Sequence, residues 1–274
     1  MLPKLIIKRM QKSKCEINRI PFVTTQHYRS EIGLNEFSRF DYRSSLCVMM
    51  FDLNRKALNE AITELSKKYS ELHIHFAVGN VSDENDGRQA INECINYFGK
   101  LDILVNNAGT GTLEFTYDLS NDKVHDLESF RRIIEINTVG TFNMSRLAAQ
   151  AMSKNEPDED QQRGLIINIS STSAFESTAG QVAYSSSKAA INGMTLSMAK
   201  DLASIGIRVT TICPGATETP ALKQFISIYK DYKVPTLFPE RCCSAKEIGQ
   251  VIKFIIECKV VNGACWRVDG GGRV

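Results

Sequence analysis

From about residue 46 onward, short apolar runs alternate with amphipathic segments. A strand that is apolar on both faces must be covered on both, so the alternation predicts a parallel sheet with helices on each side. Cys47 to Phe51, Leu72 to Val78, Leu101 to Val105, Gly164 to Ile169, Ile207 to Cys213 and Ala264 to Val268 supply the strands. Helical spacing links Leu58, Ala61, Ile62 and Leu65. A second helix buries Ala90, Ile91, Cys94, Ile95 and Phe98, with Ser82 as its cap and Gly99 at its end. Longer helices are expected from about Leu127 to Met152, Gln181 to Ala203 and Ser244 to Cys258, and residues 153 to 163 read as an exposed loop. No internal repeat interrupts the pattern, so it describes one doubly wound α/β unit.

The first 45 residues depart from this plan. A dinucleotide fold begins with a strand and a glycine-rich turn, because the pyrophosphate approaches the backbone at a helix amino terminus. Gly33 is the only glycine before Gly79. We read residues 1–45 as an atypical basic segment and 46–274 as a Rossmann-type domain whose first strand and glycine-rich turn are degraded or missing. Within residues 1–30, Lys4, Lys8, Arg9, Lys12, Lys14, Arg19 and Arg29 stand against Glu16 alone. That balance suits mitochondrial targeting and equally a solvated basic tail in a cytoplasmic protein.

Across the chain 33 basic and 31 acidic residues nearly cancel, so charge suggests neither nucleic acid nor a membrane surface as partner. No apolar run reaches membrane-spanning length. Eight cysteines without Cys-x-x-Cys spacing read as reduced thiols, not as a disulfide frame or zinc site. His73 and His75 share a strand face but have no third ligand in view, so no metal is expected. Asn168-Ile-Ser170 fits the glycosylation pattern but lies in an apolar strand, where a glycan has no room. A small-molecule substrate is the partner this composition favours.

Ser171, Tyr184 and Lys188 carry the chemistry. Four residues apart on a helix, Tyr184 and Lys188 share a face, and a fixed ammonium there stabilises a phenolate. The spacing alone is weak, since Tyr229 and Lys233 repeat it. Context decides: Asn106-Asn107-Ala108-Gly109 follows one strand, Asn137 lies in the next helix, Ser171 follows another strand and Pro214-Gly215 a further one. These are the strand ends at which open parallel sheets bind ligands.

Together, in this order, the motifs resemble the short-chain dehydrogenase/reductase family over about residues 46–274. The resemblance implies that Tyr184 is the acid/base, Lys188 its electrostatic partner and a ligand of the nicotinamide ribose, and Ser171 the donor that orients substrate oxygen. Asn137 would hold a water in the proton path. Ser170 competes with Ser171 by residue type, and family spacing selects Ser171. Asn107, Ala108 and Gly109 would line the cofactor, and Pro214, Gly215, Thr217 and Thr219 would meet the nicotinamide carboxamide. Asp52 and Leu53 follow the second expected strand, where a carboxylate binds ribose hydroxyls and repels a 2′-phosphate, so NAD is the expected cofactor. Asn80-Val81 stands where relatives carry Asp-Val beside adenine. A lid over roughly 220–240 would wall the substrate with Phe225, Ile226, Tyr229, Leu237 and Phe238.

The segments Asn155 to Asp158, Gln162 to Gly164, Ala174 to Glu176, Met194 to Leu196, Asp201 to Arg208 and Thr110 to Glu128 are similar to a narrower branch, the mitochondrial type-2 3-hydroxyacyl-CoA and 17β-hydroxysteroid dehydrogenases. That likeness implies NAD-dependent interconversion of a secondary alcohol and ketone, with short-chain 3-hydroxyacyl-CoA or a hydroxysteroid as substrate, in a homotetramer. The stretch from Val23 to Gly33 keeps Val-Thr and Ile-Gly but lacks the family's glycines, and Tyr28 and Arg29 would crowd a pyrophosphate. Three readings follow: an enzyme with weakened cofactor affinity, a noncatalytic scaffold subunit of a mitochondrial assembly, or residues 1–45 drawn from an altered exon.

Overall fold

The computed structural model of the protein describes residues 21–25, 47–68, 73–219, 222 and 236–273. Among these, seven strands form one parallel sheet. They are β1 (Pro21–Thr25), β2 (Cys47–Asp52), β3 (His73–Val78), β4 (Ile103–Asn106), β7 (Gly164–Ile169), β8 (Ile207–Pro214) and β9 (Cys265–Val268), in the order β3-β2-β1-β4-β7-β8-β9. The order reverses between β1 and β4, which opens a crevice beyond the strands' carboxyl ends.

Alternation along each strand sorts side chains to two cores. Cys47, Met49 and Phe51 of β2 join one, with α2 (Glu84–Phe98), α4 (Gly140–Met152) and α5 (Val182–Ala203) above them. Val48 and Met50 join the other, beneath α1 (Arg55–Lys68) and α6 (Ala245–Glu257). The helices thus cover both faces, as the apolar runs require. A polar row crosses the sheet under the site: Asn106 Nδ2 donates to Asn168 Oδ1 at 2.9 Å and to Ser145 Oγ at 2.8 Å, and Thr195 and Thr211 hydroxyls lie 2.6 Å apart. Asn168 is fully buried in β7. Buried amides that bond only across one register hold strand ends level.

The structure corrects several expectations. The first strand is present: Pro21–Thr25 pairs in parallel with β2 on one side and β4 on the other, so the sheet draws on the segment 1–45. The position expected for the glycine-rich turn lies outside the described residues, as do Phe225, Ile226, Tyr229 and Lys233. Asp83, not Ser82, caps α2, its carboxylate accepting from the amides of Asn85 and Asp86. The helix expected over 127–152 is broken in register: α3 (Leu127–Ile134) passes through a π-turn at Glu135–Val139 before α4 begins. A two-stranded hairpin, β5 (Tyr117–Asp118) with β6 (Lys123–Val124), occupies part of the stretch before α3. Ser244 caps α6 in a reciprocal box with Glu247, as its position before the apolar spacing suggests.

His75 stacks on Tyr97 with ring centroids 3.8 Å apart. Among the described residues no helix is long and apolar enough to cross a membrane, no disulfide joins the cysteines, and no cluster of three metal-ligating side chains occurs.

Candidate active site

Helix α5 carries Tyr184 and Lys188 one turn apart, and its amino-terminal half packs beside the end of β7. Lys188 is buried, with Nζ donating to the carbonyl of Ile169 at 2.9 Å and lying 5.7 Å from the Tyr184 ring centroid. Burial pushes its ammonium down to about 8. Burial likewise raises the Tyr184 phenol, and a hydrogen bond with Ser171 pulls the other way. In this arrangement the lysine's charge is directed at a backbone carbonyl, and Ser171 is the group bonded to the phenol.

The two competing serines separate cleanly. Ser170 Oγ donates to the main-chain oxygen of Lys188 at 3.0 Å, a wholly buried contact that fixes α5 on β7. Ser171 stands at the start of the 3-10 turn Thr172–Ala174, accepting from Ser173 N at 3.1 Å, and its hydroxyl is the group that holds the Tyr184 phenol down against burial. Only Ser171 combines the turn with the phenol.

Asn137 lies in the π-turn and is fully buried. Its amide is committed: Oδ1 accepts from Thr110 N at 2.7 Å, and Nδ2 donates to Thr110 O and Ser187 Oγ, each at 2.8 Å. The side chain therefore clasps the strand-end loop to α5. A π-turn widens one helical step, and such turns gather at functional sites.

Along the crevice, small residues make room. A methyl group on Gly109 would sit 3.3 Å from Lys188 Nζ and 3.4 Å from Asn137 Oδ1, and one on Gly111 would come within 3.0 Å of the Tyr184 ring. Gly215 backs on Asp269, where a Cβ would approach Cα and Cβ to 2.9 Å. Asn107 and Ala108 are buried beside Gly109, and Pro214 ends β8. Thr217 Oγ1 bonds the Gly215 carbonyl at 3.0 Å, whereas Thr219 Oγ1 accepts from Leu222 N at 3.2 Å.

At the far end of the crevice, Asp52 closes β2 with its carboxyl raised to about 6 by burial. Its Oδ1 accepts from Asn54 N at 2.6 Å. Asn80 Oδ1 accepts from both the amide and the hydroxyl of Ser82, so the oxygen expected beside adenine already has two donors. Val81 is buried against Gly140, and Leu53 is 68% exposed. Leu237 and Phe238, expected in a substrate wall, are 73% and 84% exposed.

These residues fit a nicotinamide dinucleotide: Tyr184 and Lys188, closely approached by the Gly109 and Gly111 backbone, for one end, and a carboxylate with one backbone donor for the other. Sequence reasoning missed Gly111, Thr110, Ser187 and the Ile169 carbonyl. Gly111 had a signal in its spacing from Gly109, but the carbonyl had none.

A profile described as short chain dehydrogenase matches residues 32–228. The "3-hydroxyacyl-CoA dehydrogenase type-2" of Drosophila melanogaster is 41% identical over 230 residues, covering 83% of this chain and 88% of that protein. A crystal structure of a protein with the same name from Mycobacterium avium superposes with a TM-score of 0.78 at 28% identity, covering 93% of this chain and 96% of that one. A 7α-hydroxysteroid dehydrogenase complexed with NADH and a 7-oxo bile acid superposes with a TM-score of 0.74 at 26% identity, covering 92% of this chain and 94% of that one.

Proposed function

The chain belongs to the short-chain dehydrogenase family, and from that premise we propose that it is an NAD-dependent oxidoreductase converting short-chain 3-hydroxyacyl-CoA to 3-ketoacyl-CoA and back. Hydroxysteroids are the second substrate class. The family acts on secondary alcohols with a nicotinamide cofactor. The observation that carries the reading is the convergence of Ser171, Tyr184 and Lys188, with the Gly109 and Gly111 backbone packed close to the last two, at the carboxyl ends of β4 and β7.

When bound, the nicotinamide ring supplies the hydride acceptor or donor. Tyr184 takes the alcohol proton during oxidation and returns it during reduction, at its phenolic oxygen. Ser171 bonds the phenol and the substrate oxygen together, which aligns the O–H with the base. Lys188 would hold the ribose through its ammonium, which stands 5.7 Å from the Tyr184 ring centroid and donates to the Ile169 carbonyl. Asn137 fixes the loop and helix that bear these groups. Asp52 would bind the adenosine ribose and repel a 2′-phosphate, which supports NAD, although structural neighbours bind cofactors of both kinds.

Mitochondrial residence rests on the basic residues before Arg29 and on the relatives' branch, and a homotetramer rests on the same likeness. Exposed apolar side chains on α4, α5, α6 and β9, namely Phe142, Leu196, Phe254 and Trp266, support self-association. The scaffold reading draws on the missing glycines between Thr24 and Gly33. Titration of the purified protein with NADH, followed by addition of acetoacetyl-CoA, decides between them. Saturable binding with NADH oxidation is expected. Binding without turnover removes the substrate assignment, and no binding leaves the scaffold.

A further inference from the structure

Four charged side chains meet away from the proton-transfer groups. Arg267, in β9, donates through Nε to Asp269 Oδ2 at 2.7 Å and through Nη2 to the carbonyl of Gly272 at 2.9 Å and to a Glu176 carboxylate oxygen. Its guanidinium carbon lies 5.3 Å from the centroid of the Phe175 ring. Arg273 adds a longer contact to Asp269 at 3.4 Å. The Arg267, Glu176 and Asp269 side chains keep only 23%, 23% and 10% of their exposure, so water screens this network weakly.

The two acids follow different strands: Glu176 comes after β7 and Asp269 after β9, with β8 between them in the sheet. Glu176 ends a tight turn that begins at Ser171: the amides of Phe175 and Glu176 both donate to Thr172 O, at 3.0 and 3.2 Å, and Ser173 N bonds Ser171 Oγ. Residues 171–176 therefore move as one piece. Beyond β8, Asp269 lies against Gly215, whose amide donates to Val268 O at 2.9 Å, and the Gly271 amide closes on Asp269 Oδ1 at 3.0 Å. A planar fork with donors in fixed directions holds Glu176, Asp269 and the Gly272 carbonyl in one set geometry, which the point charge of an ammonium does not impose.

We propose that Arg267 is a positioning residue that sets the separation between the Ser171 turn and the Pro214-Gly215 turn, and so aligns the Ser171 hydroxyl with the substrate oxygen. The proposal rests on the dehydrogenase reading for its effect on turnover, though not for the tether itself. Arg267 acts through Ser171 and leaves the Tyr184–Lys188 pair on α5 untouched.

Two measurements on the full chain test it. Hydrogen exchange read by mass spectrometry compares wild type with Arg267→Met and with Arg267→Lys, which retains the charge if the former folds poorly. Faster exchange in the peptides spanning 171–181 and 269–273, with α4 and α5 unchanged, is expected in both variants. Unchanged exchange in the 171–181 peptide overturns the tether, whatever the substrate proves to be. Acetoacetyl-CoA reduction is then compared among Ser171→Ala, Arg267→Lys and the double variant. Arg267→Lys is expected to lower kcat about tenfold with NADH affinity within twofold of wild type, and the double variant to be no slower than Ser171→Ala alone. Multiplicative losses, or NADH affinity falling in step with kcat, overturn the positioning role. Absence of turnover in wild type counts against the substrate assignment, and the exchange measurement then decides the tether alone.

Discussion

Asp52 and Lys188 hold opposite ends of the crevice, and the two are mirror images. Each is nearly inaccessible, each has a charge that burial disfavours, and each donates to or accepts from a single backbone group. Burial raises the carboxyl to about 6 and lowers the ammonium to about 8. As pH rises from about 4 to 6, the unfolded chain releases the Asp52 proton first, so this group's contribution to stability falls. From about 8 to 10.5 the unfolded chain keeps the Lys188 proton longer, so stability from that group rises. Between those windows both charges are present and the empty protein bears the full cost of both. The charges are therefore kept for what binds, with the ligand-free fold weakened at neutral pH.

Removing the phenol isolates proton transfer from charge burial. Tyr184→Phe is expected to lower turnover of acetoacetyl-CoA by about 10²- to 10⁴-fold with little change in thermal midpoint. Steady-state rates beside a melting curve check this, and turnover within threefold of wild type would remove Tyr184 from the chemistry. Next in size, Lys188→Met should raise stability at pH 7 by about 3 kcal/mol, from the shift between 10.5 and about 8, while turnover falls at least tenfold. Urea denaturation at pH 7 and pH 10 should show the advantage shrinking at the higher pH. An advantage that does not shrink breaks the symmetry with Asp52.

Asp52→Asn keeps the acceptor for Asn54 N and removes the charge, so a gain of about 3 kcal/mol at pH 7 is expected, vanishing below pH 4. NADH affinity should fall and NADPH affinity rise, as fluorescence titration would show. A variant that is no more stable at pH 7 would mean that burial is not what shifts this carboxyl. The smallest effect belongs to Ser170→Ala, which loses one buried bond to the Lys188 carbonyl, worth about 1 kcal/mol, with turnover within a few-fold. A loss of turnover as large as that of Ser171→Ala would reverse the assignment of the two serines.

Much of this was legible in the residues. The continuous apolar run Cys47–Phe51 is a strand covered on both faces, and Ser171, Tyr184, Lys188 and Asn137 do meet, because their order reflects strand ends and one helix face. The π-turn at Glu135–Val139 was not legible, since no residue type marks the step at which backbone bonding changes from i−4 to i−5. Nor was the direction of the Lys188 ammonium, which depends on a backbone carbonyl that carries no sequence signal. The Arg267 network escaped because Glu176 lies 91 residues before it in the chain, and only the fold brings that acid to the Arg267–Asp269 pair.

Pro21–Thr25 lies in the middle of the sheet and is bonded along both sides. A version of this protein cut at Leu46 would not be a slightly shorter enzyme. It would carry a slot one strand wide, with β2 and β4 each presenting an open row of amides and carbonyls where a neighbour used to be. Such a product should clump or recruit a foreign strand, which makes the most irregular stretch of the sequence the one the sheet can least do without.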